Sequence, residues 1–172
     1  MSDEVKREKI TEFVAGQNVF TSNGVSSVKV TRDGEITCLD IPIQSTGIAE
    51  LIDTFKEKAP TPPRKQQMVD PDSEVGKGMG LTKKNGVWMY DLTDPDYIKA
   101  KEEHNSNLGI AVLLKGLAVA IKNAEGVLVE DRAEKIKILK SMGMSGDQFQ
   151  QIINDIQNLT CWSEEEKTHF LG

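Results

Sequence analysis

Two apolar runs separated by a short polar turn constrain the fold more than any other part of the sequence. Residues 25–31 and 36–43 flank Arg-Asp-Gly-Glu. Asp-Gly between such runs predicts a type I′ β-hairpin, because both central residues of that turn need positive φ. With Asp33 and Gly34 as the turn, the predicted cross-strand pairs are Arg32 with Glu35, Val30 with Thr37, and Val28 with Leu39. An isolated hairpin is only marginally stable in water, so another element must cover it.

A helix predicted over residues 48–58 is a candidate cover for the hairpin. Its apolar residues recur at the i, i+3, i+4, i+7 spacing of one helix face, and they are Ile48, Leu51, Ile52 and Phe55. We therefore expect residues 25–58 to form a hairpin packed on one helix. A flexible N-terminal arm is expected over residues 1–24.

The composition changes over residues 59–86, which hold four of the six prolines and then four glycines. This pattern predicts a long, extended arm or linker. Seven Lys/Arg against four Asp/Glu lie between Lys56 and Lys84, so the arm is locally basic. The run Ala-Pro-Thr-Pro-Pro-Arg-Lys at 59–65 also matches the polyproline II ligands of aromatic grooves.

The remaining residues, 87–172, are expected to form a strand followed by a helical bundle. The alternating, bulky run 87–92 predicts the strand. Asp94 as N-cap, with Pro95 at the first helical position, begins a helix predicted to continue to about residue 123.

Three further helices are predicted after this long helix. One covers residues 131–142, one follows the capping box formed by Ser145 and Gln148, and a short one follows a second capping box at 163–166. The expected fold class is α+β, mainly α. It combines a small β-hairpin, a long Pro/Gly arm and a C-terminal helical bundle.

Two apolar stripes in these helices predict either core or a surface for a helical partner. One follows the second half of the long helix, and the other follows the helix after Ser145. Two cations of the basic arm complete the candidate partner-binding set, which is Leu108, Ala111, Leu114, Ala118, Ile121, Phe149, Ile152, Ile153, Ile156, Arg64 and Lys65.

No residue pattern indicates catalysis, a metal site or a cofactor. Cys38 and Cys161 are expected to be reduced thiols, and the two cysteines and two histidines lack the spacing of a zinc site. The glycines at 76–80 lack the preceding strand and the Gly-Lys-Ser/Thr end of a phosphate-binding loop. We therefore expect a protein that is not an enzyme.

A second interpretation, a helix-turn-helix that binds DNA, remains open for residues 131–158. Its second helix carries Gln and Asn side chains that can read adenine. However, no Arg or Lys lies between residues 144 and 162 to contact phosphates. The net charge of −6, from 21 Lys+Arg and 27 Asp+Glu, also argues against a protein that coats nucleic acid.

The apolar stretches of the chain are far shorter than the ~20 residues that a membrane-spanning helix needs. The charged start, residues 1–9, has no signal-peptide core behind it. A cytoplasmic protein without membrane contact is therefore expected. Self-association is compatible with the apolar stripes.

The last third of the sequence resembles a class of bacteriophage proteins. The pattern begins with Lys-Ser-Met-Gly-Met-Ser at 140–145 and continues with the apolar stripe of the next helix, Leu159-Thr160, the acidic cap at 163–166 and Phe170. Together with Thr-Asp-Pro-Asp-Tyr at 93–97, it is similar to the carboxy-terminal helices of tail assembly chaperones and small tail-morphogenesis proteins of long-tailed phages.

This resemblance implies a non-catalytic protein of the bacterial host cytoplasm that binds another phage protein. In such proteins the usual partner is the tape measure protein, which is kept soluble until tail-tube subunits polymerise around it. The predicted hairpin and basic arm depart from the family pattern. They leave open a structural role in the virion.

Overall fold

The structure is a computed structural model that describes residues 5–160. Over this range it contains five helices and two small antiparallel sheets. The elements in chain order are β1 (Asn23–Arg32), β2 (Glu35–Gln44), α1 (Ile48–Glu57), β3 (Arg64–Val69), α2 (Glu74–Gly78), β4 (Asn85–Tyr90), α3 (Pro95–Gly116), α4 (Arg132–Ser141) and α5 (Gly146–Asn158). The second capping box, at 163–166, lies outside the described residues.

The predicted fold class was wrong in its emphasis on helix. Of residues 5–160, 38% are helix and 22% are strand, an α+β fold that is not mainly α. It divides into two compact units. Unit 1 combines the chain up to Ala49 with the chain from Val112 onward, and unit 2 comprises Glu50–Ala111.

The hairpin of unit 1 is confirmed, including its register. β1 pairs with β2 antiparallel, and the pairs Arg32–Glu35, Val30–Thr37 and Val28–Leu39 are present. Asp33 and Gly34 have φ values of 51° and 81°, as a type I′ turn requires. Pro42 lies opposite Val25, at a position where the strand's N–H would point away from its partner, so the ladder loses no hydrogen bond there.

The predicted C-terminal helical bundle was wrong, because α5 packs on β1 instead. The capping box at its start is present: Ser145 Oγ accepts from the N–H of Gln148, and Gln148 Oε1 accepts from the N–H of Ser145. The apolar face of α5 packs toward β1, and its residues Ile152 and Ile156 are fully buried. The hairpin is therefore covered by α5, although α1 was expected to cover it.

Helix α3 is shorter than predicted. Asp94 caps it as expected, since its Oδ2 accepts from the N–H of Tyr97 at 2.9 Å. The helix ends at Gly116 rather than near residue 123, because the chain leaves it to join the edge of β2. There the N–H of Ala118 donates to the carbonyl of Pro42 at 3.0 Å, and Leu117 forms a bridge with Ile43.

The predicted Pro/Gly arm was also wrong, since most of residues 59–86 form regular structure in unit 2. β3 pairs antiparallel with β4 from Arg64–Tyr90 to Val69–Asn85. Between them lies the short helix α2, capped by Ser73, whose side chain accepts from the N–H of Gly76. The sequence suggested β4 but not its partner, because Arg-Lys-Gln-Gln-Met-Val carries little of the apolar alternation that marks a strand.

An Asx turn connects β4 to α3. The hydroxyl and N–H of Thr93 both donate to the same carboxylate oxygen of Asp91, at 2.7 and 3.1 Å. These two hydrogen bonds, the stronger from the hydroxyl, lower the pKa of Asp91, and nearby Lys65 adds a smaller effect in the same direction.

Gly116 tests the close packing of the end of α3 on α5. A Cβ at this position would lie 2.5 Å from two side-chain carbons of the fully buried Ile156. We expect Gly116→Ala to lower the free energy of unfolding by about 1–3 kcal/mol, because the core must shift to make room. Thermal and denaturant unfolding followed by circular dichroism would measure this.

Gly146→Ala is the matched control. Gly146 lies in the first turn of α5, and a Cβ there would meet no atom within 4 Å. This substitution should be neutral or stabilise the protein by up to about 1 kcal/mol. Equal destabilisation by both substitutions would contradict the packing described for Gly116.

Candidate partner-binding site

The position of α5 along β1 determines the shape of unit 1. The side-chain amides of Gln151 and Gln148 donate to the carbonyls of Ser27 and Lys29, at 2.7 and 3.3 Å. These carbonyls belong to the alternate positions of β1 that point away from β2. α5 therefore satisfies backbone groups on the free edge of β1 and runs antiparallel to that strand.

A part-buried hydrogen bond joins α5 to the middle of β1. Ser26, which is completely buried, donates from Oγ to Oδ2 of Asp155 at 2.6 Å. At the far end of the helix, the Leu159 side chain lies against Gly24. The helix thus covers the hairpin along β1. The face of β2 that carries Leu39 and Ile41 extends beyond the helix.

A groove of about 750 Å³ lies over this remaining face. The hairpin forms the floor of the groove. One wall is the segment that follows α3, and the other wall is the end of α4 with the turn to α5. The apolar lining residues are Val28, Val30, Leu39, Ile41, Pro42, Leu117, Ala118, Val119, Ala120, Ile121, Leu139, Met142 and Met144, with Arg32, Asp40, Gly143 and Gln148 beside them.

The rim of the groove remains exposed although it is apolar. Met142 is 77% exposed and Val119 is 46% exposed. Methionine side chains are unbranched and polarizable, so Met142 and Met144 can fit surfaces of different shapes. An exposed apolar surface around a concave site is the kind of feature that marks a binding surface.

The lining of the groove is mostly apolar. Its charged side chains are a single arginine and a single aspartate, Arg32 and Asp40, with no histidine or cysteine among the lining residues. Across the described residues, no group of three or more His, Cys, Asp and Glu side chains could hold a metal ion. Cys38 is an exposed, free thiol, and Cys161 lies outside the described residues.

The structure does not bring the predicted partner-binding residues together at one site. Ala118 and Ile121 line the groove. Ile152, Ile153 and Ile156 are buried, so their stripe belongs to the core of unit 1. The others lie on α3, α5 and β3: Ala111 is buried, Leu108, Leu114 and Phe149 are half-buried, and Arg64 and Lys65 are exposed.

Sequence reasoning missed most of the groove. The hairpin pair Val28–Leu39 was predicted, but the hairpin was expected to be covered by α1. The chain after α3 was expected to remain helical, so its contact with β2 was not foreseen. Met142, beside Gly143 with a φ of 93°, is exposed at the rim, and the sequence pattern gave no signal of this.

The helix-turn-helix interpretation finds its two helices in α4 and α5, with four residues between them. The polar side chains that would read bases are engaged elsewhere. Gln148 and Gln151 donate to β1, and Gln150 donates to Asn154 at 2.9 Å. These contacts give the polar face of α5 a role within unit 1.

Comparison of the chain with family models, curated proteins and solved structures found no match. None of the helices in residues 5–160 is long and apolar enough to cross a membrane.

Ser26 tests how α5 is held in place. We expect Ser26→Ala to lower the free energy of unfolding by about 1–3 kcal/mol, because the half-buried carboxylate of Asp155 loses its donor. Chemical unfolding would measure the loss, and Asp155→Ala combined with Ser26→Ala should cost less than the sum of the two single changes.

Ser27→Ala is the matched control on the same strand. Ser27 also donates to an aspartate, Asp40, at 2.7 Å, but this bond is exposed to water. Its loss should cost at most about 0.5–1 kcal/mol. If the two alanine variants were equally stable, the part-buried bond would not be what holds α5 on β1.

Proposed function

We propose that this protein is a non-catalytic binding protein of bacteriophage tail morphogenesis, and that its groove holds an apolar helical segment of a partner. The observation that carries the binding role is the apolar groove of unit 1, with its exposed rim. The phage assignment is supported by the resemblance of residues 93–97 and 140–170 to tail assembly chaperones. The proposed partner is the tape measure protein or a tail-tube protein in the host cytoplasm.

The dimensions of the groove favour the side chains of a helix over a whole helix. The groove volume of about 750 Å³ is that of a typical small-ligand pocket, ~300–1,000 Å³. Two or more turns of a helix about 10–12 Å wide would need more space than this. The groove would therefore take apolar residues at i, i+3, i+4 and i+7 of a helix whose backbone remains outside.

Binding that depends on apolar burial, with few hydrogen bonds, also suits a protein that keeps an apolar partner soluble. Burial of apolar surface is non-directional and tolerates sequence variation, so one groove can bind successive segments of a long helical protein. The groove lining offers few hydrogen-bonding groups that would demand one fixed partner sequence. A structural component of the virion would use the same surface, and retention in finished particles distinguishes that role.

A charge on the groove rim tests the proposal. We expect Val119→Lys to weaken binding to the proposed tape measure partner at least tenfold, because a lysine ammonium cannot be buried unpaired. The two proteins would be co-expressed, and the soluble fraction of the partner and the recovery of the complex would be measured. Apolar binding should also show a negative heat-capacity change in calorimetry.

Val127→Lys is the control for the same chemical change outside the groove. Val127 is 60% exposed, belongs to unit 1 and does not line the groove. This variant should bind the partner normally. Failure of the native protein to form a complex or to raise partner solubility would refute the proposed function, and equal loss in both variants would remove the groove from it.

A further inference from the structure

The small sheet of unit 2 has one face packed and one face open. Val69 is buried, and Val87 and Met89 are half-buried, so these residues define the packed face. The alternate residues form the open face, which is defined by the pairs Arg64–Tyr90, Gln66–Trp88 and Met68–Gly86. We call these six residues the aromatic face.

Two aromatic rings dominate this face. Trp88 is 64% exposed and Tyr90 is 55% exposed, although both are large residues that a folded chain normally covers. They are two positions apart on one strand, which places them about 6.6–6.8 Å apart along β4. Such a row offers successive π-surfaces to flat ligands that follow the strand.

The polar side chains of the face are Arg64, Gln66 and Tyr90, which all offer hydrogen-bond donors, and no carboxylate lies among them. The guanidinium carbon of Arg64 lies over the Tyr90 ring, 5.3 Å from its centre, so a base would stack on the other face of this ring. A Cβ at Gly86 would come within 2.7 Å of the Gln66 side-chain nitrogen. The absence of a side chain at Gly86 therefore leaves room for the Gln66 amide on this face.

We propose that the aromatic face binds single-stranded nucleic acid, with bases stacked on Trp88 and Tyr90 and a phosphate near Arg64. Exposed rings in a row, a guanidinium and an amide donor are the groups with which proteins bind single strands without reading sequence. The positive charge of the face is complementary to phosphate. Base stacking needs no general excess of cations, so an overall charge of −6 does not exclude it.

The probe is a fluorescein-labelled oligothymidine of about ten nucleotides, which is within the usual range of site sizes. Binding to the full chain would be followed by fluorescence anisotropy at low salt, on the order of 50 mM. An abasic oligomer of the same length is the matched ligand, because it retains the phosphates and lacks the bases. We expect oligothymidine to bind at least tenfold more tightly than the abasic strand.

Substitutions at the face locate the binding. Trp88→Ala should weaken binding about 5- to 100-fold, the range expected for loss of one stacked base. Tyr90→Phe should retain binding, because the ring remains. Leu92→Ala is the control, since Leu92 is also 64% exposed in unit 2 but is not part of the face; it should leave binding unchanged.

Tryptophan fluorescence gives an independent readout. The chain has two tryptophans, so in a Trp162→Phe background the emission reports Trp88 alone, and a stacked base should quench it. Equal affinity for the abasic strand, normal binding by Trp88→Ala, or no quenching would overturn the proposal. Quenching by a proline-rich peptide but not by the oligonucleotide would also overturn it and assign the face to a protein.

Discussion

The packing of α5 along β1 is the interaction on which the rest of unit 1 depends. A two-stranded sheet has two free edges and cannot bury its inner face alone. Two glutamine amides of α5 satisfy carbonyls on one edge, and Ile152 and Ile156 bury the adjoining face. The end of α3 closes on the same helix, because Gly116 leaves space for Ile156.

The groove is a consequence of this arrangement. A helix with side chains is about 10–12 Å wide, and α5 lies toward β1, so the inner face of β2 needs another cover. The chain after α3 reaches the edge of β2 at Pro42 and supplies only part of that cover. Apolar residues such as Met142 and Val119 therefore remain exposed at the groove, whereas Val28 and Leu139 line it and also belong to the core.

The sequence predicted the features that depend on neighbouring residues, namely the hairpin turn, its register and the starts of helices. Asp33-Gly34 specified the turn and, through the side-chain period of two, the whole register of the hairpin. Asp94, Ser145 and Gln148 marked helix starts because caps involve residues only three positions apart. The stripe of Ile152 and Ile156 left core and partner surface open, and the structure buries both residues in the core of unit 1.

What the sequence could not show depends on contacts between distant segments. The Leu108–Ile121 stripe is apolar throughout, and only the hydrogen bond from Ala118 to Pro42 explains why the helix ends at Gly116. β3 carries charged and amide side chains, and its pairing with β4 overrides its weak strand propensity. The choice of α5 over α1 as the cover of the hairpin likewise rests on pairs about 120 residues apart, such as Gln151 with Ser27.

The groove and the aromatic face differ in physical character, and this difference separates two roles within one chain. The binding proposed for the groove rests on apolar burial, which added salt weakens little. The aromatic face combines stacking with a guanidinium, so its affinity should fall as salt screens or displaces the phosphate contact. A salt titration of each interaction therefore distinguishes them without any substitution. A protein that holds an apolar partner at one unit and a polyanion at the other would retain the first interaction and lose the second as ionic strength rises.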